Sequence, residues 1–269
     1  MNRSQADGPS GRFWRETLPP LFLIFFLVLV WQLVADQSGL SAFILPSPTG
    51  VVLAAWETRD LLLPAIGSTL AATMIGLAIA TLLGIAIAAA IDLSVTVRRA
   101  LYPILVASQT VQILAIAPLL IIWFGFGMAP KVFIVVLICF FPLALNTADG
   151  LTSADPDQVN LLRSMNAKRS QIWRMVRLPS AMPAFFTGLR IAVTYSVVGA
   201  TIGEWVGGSG GLGLYMLRSK NALATDQVFV AIVITSAISI ALFVLVYLIE
   251  RKTLPWYHSQ ARAKTWEAN

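Results

Sequence analysis

The chain has 269 residues, of which 57% are hydrophobic and only 12% are charged, and its mean hydropathy is +0.78. A soluble domain carries roughly 25% charged residues, so this composition excludes an ordinary water-soluble fold and predicts a membrane protein. The net charge of +6 is compatible with nucleic-acid binding when taken alone. The basic residues follow a membrane topology, however, and we therefore expect no nucleic-acid partner.

Cysteine and histidine are too few for a catalytic or metal-binding set. The one cysteine, Cys139, lies in an apolar run, and the one histidine, His258, lies in a polar tail. A disulfide within the chain, a Cys/His metal cluster and a His-based catalytic set are therefore excluded. We predict that the chain is not an enzyme, has no catalytic residue, holds no metal and binds no cofactor itself.

Six long apolar runs predict an all-α, polytopic membrane protein with six transmembrane helices. About 18 apolar residues are enough to span the hydrocarbon core. Within the second run, Gly76, Ala80 and Gly84 are spaced by four residues, which predicts a close helix crossing. In chain order, the runs are 17–35, 61–91, 100–130, 132–148, 184–203 and 227–249, with Arg190 inside the fifth.

Lysine and arginine divide unequally between the two sides of these spans, fourteen against four. By the positive-inside rule, both termini are predicted to be cytoplasmic. We expect a cytoplasmic segment over 1–18, a six-helix transmembrane domain over 19–250 and a cytoplasmic tail over 251–269. The fourteen are Arg3, Arg12, Arg15, Arg98, Arg99, Arg163, Lys168, Arg169, Arg174, Arg177, Arg251, Lys252, Arg262 and Lys264, and the four are Arg59, Lys131, Arg218 and Lys220.

The longest cytoplasmic connection, residues 150–182, predicts two short amphipathic helices, and we call it the coupling segment. Asp155 is a helix N-cap followed by Pro156 at the first helical position. We expect the first helix to end at a bend at Asn166 and the second to end at Leu178–Pro179. Such a pair of helices would lie on the membrane and offer a surface to a partner.

The coupling segment resembles the cytoplasmic EAA loop of ABC importer permeases. That loop reads Glu-Ala-Ala, three residues, Gly, nine residues, Ile, one residue and Leu-Pro, and this chain follows the frame from Asn160 to Pro179. Residues 163–167, Arg-Ser-Met-Asn-Ala, are similar to the Arg-Ser-Met-Gly-Ala of the family's sulfonate, nitrate and taurine branch. Asn160 stands where the family has Glu, and Asn166 where it has Gly. Asn is the best substitute for Gly at a bend that needs φ > 0.

The resemblance implies a type I ABC importer permease in a bacterial inner membrane. It implies three kinds of partner: a separate ATP-binding cassette subunit, a periplasmic or extracellular solute-binding protein, and a second, identical permease subunit. The chain has no Walker A pattern, which agrees with ATP being bound by the partner. The residues expected to contact the ATPase are Asn160, Leu161, Leu162, Met165, Asn166, Ala167, Ile172, Leu178 and Pro179. Leu161, Leu162, Met165 and Ile172 are expected to form the apolar docking face.

A glycine-rich stretch, residues 203–213, is similar to the stretch before the last span in the same permease branch. There it lies near the outer mouth, beside the gate. Its Glu-Trp-Val-Gly sequence, residues 204–207, resembles that of permeases for thiamine pyrimidine precursors. A hydroxymethylpyrimidine-like heterocycle and a sulfonate, taurine or nitrate are therefore equal alternatives as the transported solute. Gln109 and Gln112 are expected on one helical face, and Arg190 either snorkels or lines the pathway. The pathway or gate candidates are Gln109, Gln112, Asn146, Arg190, Tyr195 and Glu204.

Two other classes of protein remain as alternatives. A secondary transporter driven by an ion gradient would need several buried acidic residues, and the second and third runs contain none. A polytopic membrane enzyme would need His, Cys or paired carboxylates at one membrane face. Both alternatives explain the sequence less well than an ABC importer permease.

Overall fold

The structure, a computed structural model, describes residues 9–37 and 43–257, with side chains from Leu18 onward. Parts of both predicted terminal segments, 1–8 and 258–269, lie outside the described residues. Arg3, Arg262, Lys264 and His258 lie there as well.

Every regular element in the described part of the chain is a helix, which confirms the all-α prediction. The helices are α1 (Pro9–Gln37), α2 (Pro48–Glu57), α3 (Arg59–Leu93), α4 (Val95–Ser108), α5 (Ile113–Phe124), α6 (Met128–Thr152), α7 (Pro156–Ser164), α8 (Arg169–Ile172), a π-helical turn (Trp173–Arg177), α9 (Leu178–Gly207), α10 (Leu212–Asn221) and α11 (Thr225–Thr253).

Five stretches of helix are long and apolar enough to cross a membrane, and the bent pair of α4 and α5 makes a sixth if it is counted as one broken span. The six predicted runs are thus recovered when the broken pair counts as one. The five unbroken spans are Leu18–Gln37, Arg59–Leu93, Met128–Thr152, Arg169–Gly207 and Thr225–Thr253.

The third run, 100–130, is predicted as one transmembrane helix, but the structure divides it into α4 and α5. α4 and α5 are bent by 98° where they meet. The hydroxyls of Ser108 and Thr110 donate to carbonyls three residues back, at 2.9 and 2.7 Å, and the amides of 109–111 also bond three residues back instead of four. Side chains that bond nearby carbonyls compete with α-helical hydrogen bonds. The helix therefore ends at this polar cluster.

The predicted boundary between the third and fourth runs is also wrong. α5 ends at Phe124 and α6 begins at Met128, because Gly125 (φ 71) and Gly127 (φ 136) turn the chain between them. Glycine adopts positive φ without steric cost. Lys131, which the sequence analysis places outside the spans, therefore lies inside α6.

The described residues form two compact units. One consists of the residues before Leu61 together with Arg218–Val230, and the other of Leu61–Leu217 together with the residues from Ala231. In the first unit, Trp31 Nε1 donates to the Pro46 carbonyl at 3.1 Å, and its ring lies 5.6 Å from that of Phe229. None of the α1 span is buried.

In the second unit, α6 packs most extensively against α9, and the two helices run antiparallel. A Cβ on Gly203 would lie 2.7 Å from the Lys131 Cα, and one on Gly188 would lie 2.7 Å from the Pro142 carbonyl oxygen. Glycine at these positions lets the two backbones approach closely.

The predicted close crossing in the second run is confirmed, and its partner is α6. A Cβ on Gly76 would lie 2.5 Å from the Val135 Cβ, and one on Gly84 would lie 2.9 Å from the Leu143 Cβ. Ala80, between them, is fully buried. α3, α6 and α9 thus pack closely against one another through small residues.

Candidate functional site

The first helix of the coupling segment begins as predicted. Asp155 Oδ1 accepts a hydrogen bond from the Asp157 amide at 2.9 Å, and Pro156 is the first residue of α7. The side chain thus satisfies one of the amides that a helix N-terminus leaves without a partner. α7 ends at Ser164.

Asn166 forms the bend that follows α7, with φ 57. Its amide donates to the Arg163 carbonyl at 2.9 Å, and the Ala167 amide donates to the Leu162 carbonyl at 3.0 Å. These two bonds are a Schellman motif, whose left-handed residue is usually Gly and sometimes Asn. The prediction of φ > 0 at Asn166 is confirmed.

The coupling segment has a small core of its own. Val159, Ile172 and Val176 are each 7% exposed, and Leu162 and Ala167 pack against them. The prediction that Ile172 lies on the face offered to the ATPase is wrong, because its side chain is buried where α8 packs on α7.

The remaining apolar side chains of α7 and of its C-cap residue, Met165, point outward. Leu161 is 62% exposed and Met165 is 70% exposed, and Asn160 beside them is exposed as well. Leu178 and Pro179 are also exposed, further along the segment. Of the four residues predicted as the apolar docking face, Leu161 and Met165 are thus the two that are exposed.

The second helix of the coupling segment does not end at Leu178–Pro179, contrary to the prediction. Helix continues without interruption from Arg169 to Gly207. At the π-helical turn, the Leu178 amide donates to the Trp173 carbonyl, five residues back. Pro179, which has no amide hydrogen and would disturb a regular α-helix, lies two residues after this π-helical turn, where the α-helical hydrogen bonding is already interrupted. The coupling segment is thus continuous with a membrane-spanning helix.

Two arginines join this long helix to the end of α3. The Arg177 guanidinium forms an ion pair with the Asp92 carboxylate, whose side chain is 3% exposed. Arg169 donates to the Leu93 carbonyl at 2.8 Å. A pair with one partner buried is screened less by water than a surface pair. These contacts therefore fix the coupling segment to the bundle.

Two of the predicted pathway residues, Gln109 and Tyr195, line a cavity of about 420 Å³ beside the break between α4 and α5. Ser108 is the other polar residue of the lining, and Phe141 and Ile191 represent its apolar majority. None of the lining residues is charged. A mostly apolar lining with a few polar side chains is typical of a small-molecule pocket.

Gln112 and Asn146 lie apart from that lining. Gln112 precedes α5 with an extended backbone, so Gln109 and Gln112 stand at a break, and the prediction that they share one helical face is wrong. The Asn146 side-chain amide donates to the Pro142 carbonyl of its own helix at 2.7 Å.

Arg190 has a partner that the sequence analysis does not anticipate. Its Nε lies 3.4 Å from Oε2 of Glu250, a residue of α11 that is only 2% exposed. The Arg190 side chain itself is 31% exposed. The two residues are 60 positions apart in sequence, so no local pattern indicates their pairing.

Glu204 is buried at the other end of α9, where a polar cluster joins α3, α6 and the start of α10. Its carboxylate accepts from the Gly213 amide at 2.7 Å and from the Thr69 hydroxyl at 2.8 Å. Lys131 Nζ lies 3.8 Å from the same carboxylate and donates to Ser68 Oγ at 2.9 Å. Both charged side chains are at most 1% exposed.

Lys131, Ser68 and Thr69 are missed by sequence reasoning, although Lys131 carries a signal. It is a lysine between two long apolar runs, shortly after the glycines that precede α6. In the part of the chain that the structure describes, no three His, Cys, Asp or Glu side chains lie close enough to hold a metal ion. The charged side chains discussed here form two ion pairs, Lys131 with Glu204 and Arg190 with Glu250.

Comparison with known proteins gives consistent matches over most of the chain. Residues 80–255 match the protein family described as binding-protein-dependent transport system inner membrane component. The formylaminopyrimidine transport permease of Halalkalibacterium halodurans is 37% identical over 246 residues, covering 91% of this chain and 98% of that protein. The taurine transport system permease of Escherichia coli K12 is 32% identical over 238 residues, 86% of each chain.

A solved structure shows the same fold. An amino acid ABC transporter, crystallised with histidines, aligns with a TM-score of 0.59 and 18% identity, covering 74% of this chain and 97% of that one.

Proposed function

Because the chain belongs to the family of binding-protein-dependent transport system inner membrane components, we propose that it forms the solute path of an importer for a small, flat nitrogen heterocycle. The chain is a multi-pass inner-membrane permease subunit of an ABC importer and not an enzyme. Permeases of this family work with an ATP-binding subunit and a solute-binding protein. The proposed solute is of the formylaminopyrimidine or hydroxymethylpyrimidine kind.

The uncharged cavity beside the α4–α5 break supports a heterocycle over an anion. The rings of Phe141 and Tyr195 offer faces for stacking, and Gln109 offers both a donor and an acceptor. A sulfonate or nitrate keeps its charge, and burial of an anion without a cation is costly. Two cations of the neighbouring spans are engaged elsewhere, since Arg190 pairs with Glu250 and Lys131 pairs with Glu204.

Substituting Tyr195 tests the solute path. We expect Tyr195→Ala to lower uptake of radiolabelled formylaminopyrimidine by about tenfold, because loss of a ring contact and a hydrogen bond removes roughly 1–3 kcal/mol. Tyr247→Ala, at a tyrosine of α11 that is 39% exposed and outside the cavity lining, is the matched control and should transport normally. Uptake would be measured in proteoliposomes that contain the permease, its ATPase and its binding protein.

Competition in the same assay decides between the solute classes. Unlabelled formylaminopyrimidine should compete at micromolar concentration, while taurine and nitrate should not. Uptake of taurine or nitrate by the complex, unaffected by Tyr195→Ala, would overturn the heterocycle proposal and favour the anion alternative.

We also propose that the coupling segment docks on the ATP-binding subunit. The exposed side chains of Leu161 and Met165 support this role, as does the continuous helix that leads from the segment into the membrane. Closure of the ATPases on nucleotide would shift this helix and produce alternating access. The path is completed by a second copy of the chain, so two differently tagged copies should co-purify.

The proposed orientation places both termini and the coupling segment in the cytoplasm, with the domain limits 1–18, 19–250 and 251–269 predicted from the sequence. The fourteen-to-four distribution of basic residues supports it. Ser164 and Ser209 are both exposed and lie at opposite ends of the second unit. With Cys139→Ala as background, we expect a membrane-impermeant thiol reagent to label Ser209→Cys from outside intact cells and Ser164→Cys only after the cells are opened. The reverse pattern would contradict the orientation.

A further inference from the structure

The turn between α9 and α10, residues 208–211, is held in place by the buried polar cluster. Lys131 Nζ donates to the Gly210 carbonyl at 2.6 Å, and Glu204 accepts from the Gly213 amide just beyond the turn. Thr69 Oγ1 also accepts from the Leu212 amide at 2.9 Å. Lys131 of α6 and Thr69 of α3 therefore hold the turn from two other helices.

The turn fits against this cluster with no spare volume. Gly211 has φ +119, and a Cβ there would overlap the Glu204 carboxylate. A Cβ on Gly213 would lie 2.6 Å from the Thr201 carbonyl oxygen. Both glycines are needed for the close approach, so the seated position of the turn is a single, well-defined state.

Burying the Lys131–Glu204 ion pair costs desolvation free energy, and a helix contact that never opens does not require such a pair. Two desolvated charges stabilise a fold little more, and often less, than apolar side chains of the same volume. Charged and hydrogen-bonded contacts are directional, however, and a small displacement breaks them as a set. A buried pair is therefore better suited to a contact with two discrete states than to permanent packing.

The position of Glu204 connects this contact to the coupling segment. Glu204 lies in the last turn of the continuous helix Arg169–Gly207, which is about 58 Å long at 1.5 Å per residue. A shift of that helix moves Glu204 relative to Lys131 and Thr69, which belong to other helices. The coupling segment and the turn are therefore connected by one continuous helix.

We infer that Lys131 and Glu204 form a latch that seats the turn 208–211 on α3 in the resting importer and must release it in each transport cycle. The inference rests on the importer function proposed above. It assigns Lys131, Ser68 and Thr69 to the gate at the end of the bundle opposite the coupling segment.

A disulfide across the latch tests this inference directly. An ideal Cβ on Gly210 would lie 3.9 Å from Ser68 Oγ, the atom that a cysteine sulfur at position 68 would replace. The two positions are therefore close neighbours, and a small shift of either side chain brings two sulfurs within bonding reach. Ser68→Cys with Gly210→Cys, in a Cys139→Ala background, should therefore cross-link in the resting complex. The single variants Ser68→Cys and Gly210→Cys are the matched controls.

The readout is binding-protein-stimulated ATP hydrolysis by the reconstituted complex, which does not depend on knowing the solute. We expect oxidation of the double variant to lower that activity at least tenfold and reduction with dithiothreitol to restore it, while the single variants respond to neither treatment. Full activity with the cross-link complete would show that the turn need not move and would overturn the latch.

Two other outcomes are also decisive. Failure of the two cysteines to cross-link in the resting complex would contradict the seated turn and overturn the latch as well. If the heterocycle proposal alone is wrong, the parent complex will fail to take up formylaminopyrimidine, but the reversible loss of ATP hydrolysis on oxidation will remain.

Discussion

Replacing Met165 with Asp is expected to abolish ATP-driven uptake while the permease stays in the membrane at its normal level. The Met165 side chain is 70% exposed at the end of α7 and lies outside the segment core. The substitution therefore costs little in folding. In the proposed complex, the same position is covered by the ATPase, and an unpaired carboxylate buried there costs several kcal/mol.

Each 1.4 kcal/mol is a factor of ten in affinity, so co-purification of the ATPase with Met165→Asp should fall by about a hundredfold. Leu161→Asp should behave in the same way, because Leu161 is 62% exposed on the same helix. The measurement is the amount of ATPase recovered with a tagged permease from solubilised membranes, together with uptake by the same cells.

Met175→Asp is the matched control. Met175 is 65% exposed and belongs to the same segment, but it lies in the π-helical turn and outside α7. We expect it to retain at least half of the ATPase binding. Loss of binding in Met175→Asp equal to that in Met165→Asp would mean that α7 is not the docking element.

Leu162→Asp answers a different question from Met165→Asp, although the sequence places both residues on one apolar face. Leu162 packs on the small core of Val159, Ile172 and Val176. An Asp there would disturb the folding of the segment itself. Its effect on uptake would not separate a lost contact from a lost structure.

The coupling segment illustrates how much of the site could be predicted from sequence. The signals at Asp155–Pro156 and Asn166 are local: a cap, a proline at the first position and a residue that tolerates φ > 0. All three are confirmed. The inward position of Ile172 depends on how α8 packs on α7, and a three-residue spacing of apolar side chains cannot show which face is covered.

The long apolar runs show a second limit. A run of 31 residues exceeds the roughly 20 that a span needs, but length alone does not decide, because the equally long run 61–91 lies within the single helix α3. The polar cluster Ser108–Gln112 is the signal for the break. Gln109 and Gln112 are predicted on one helical face because a single hydrophobic pattern does not distinguish a polar stripe from a helix end.

The charged pairs of the spans are beyond sequence reasoning altogether. Lys131 and Glu204 are 73 positions apart, and each looks like an ordinary charge at the edge of a span. Their pairing follows from the antiparallel packing of α6 on α9, in which Gly203 brings the two backbones together. A tertiary contact of this kind appears only when the helices are placed in three dimensions.

Replacing Lys131 with Met is expected to destabilise the permease by about 3–5 kcal/mol, because it leaves the Glu204 carboxylate buried without its cation. Met fills nearly the same volume as the lysine stem, so a cavity contributes little. The Gly210 carbonyl and Ser68 hydroxyl also lose their donor. We expect a lower level in the membrane and an unfolding transition at clearly lower denaturant concentration in detergent.

Combining Lys131→Met with Glu204→Gln should recover most of that loss. The double variant removes both charges of the pair, and the introduced glutamine can still accept from the Gly213 amide through its carbonyl oxygen. A double-mutant cycle between the two positions should therefore give a coupling energy of about 2–3 kcal/mol. Additive effects would mean that the two side chains are stabilised independently and do not act as a pair.

The recovered double variant also separates stability from gating. It folds with a neutral contact that holds the turn less tightly, so we expect ATP hydrolysis by its complex to depend less on the binding protein than in the parent. The measurement is the ratio of stimulated to basal ATP hydrolysis in proteoliposomes, which should fall at least threefold. An unchanged ratio in a double variant of parental stability would assign the Lys131–Glu204 pair to folding alone.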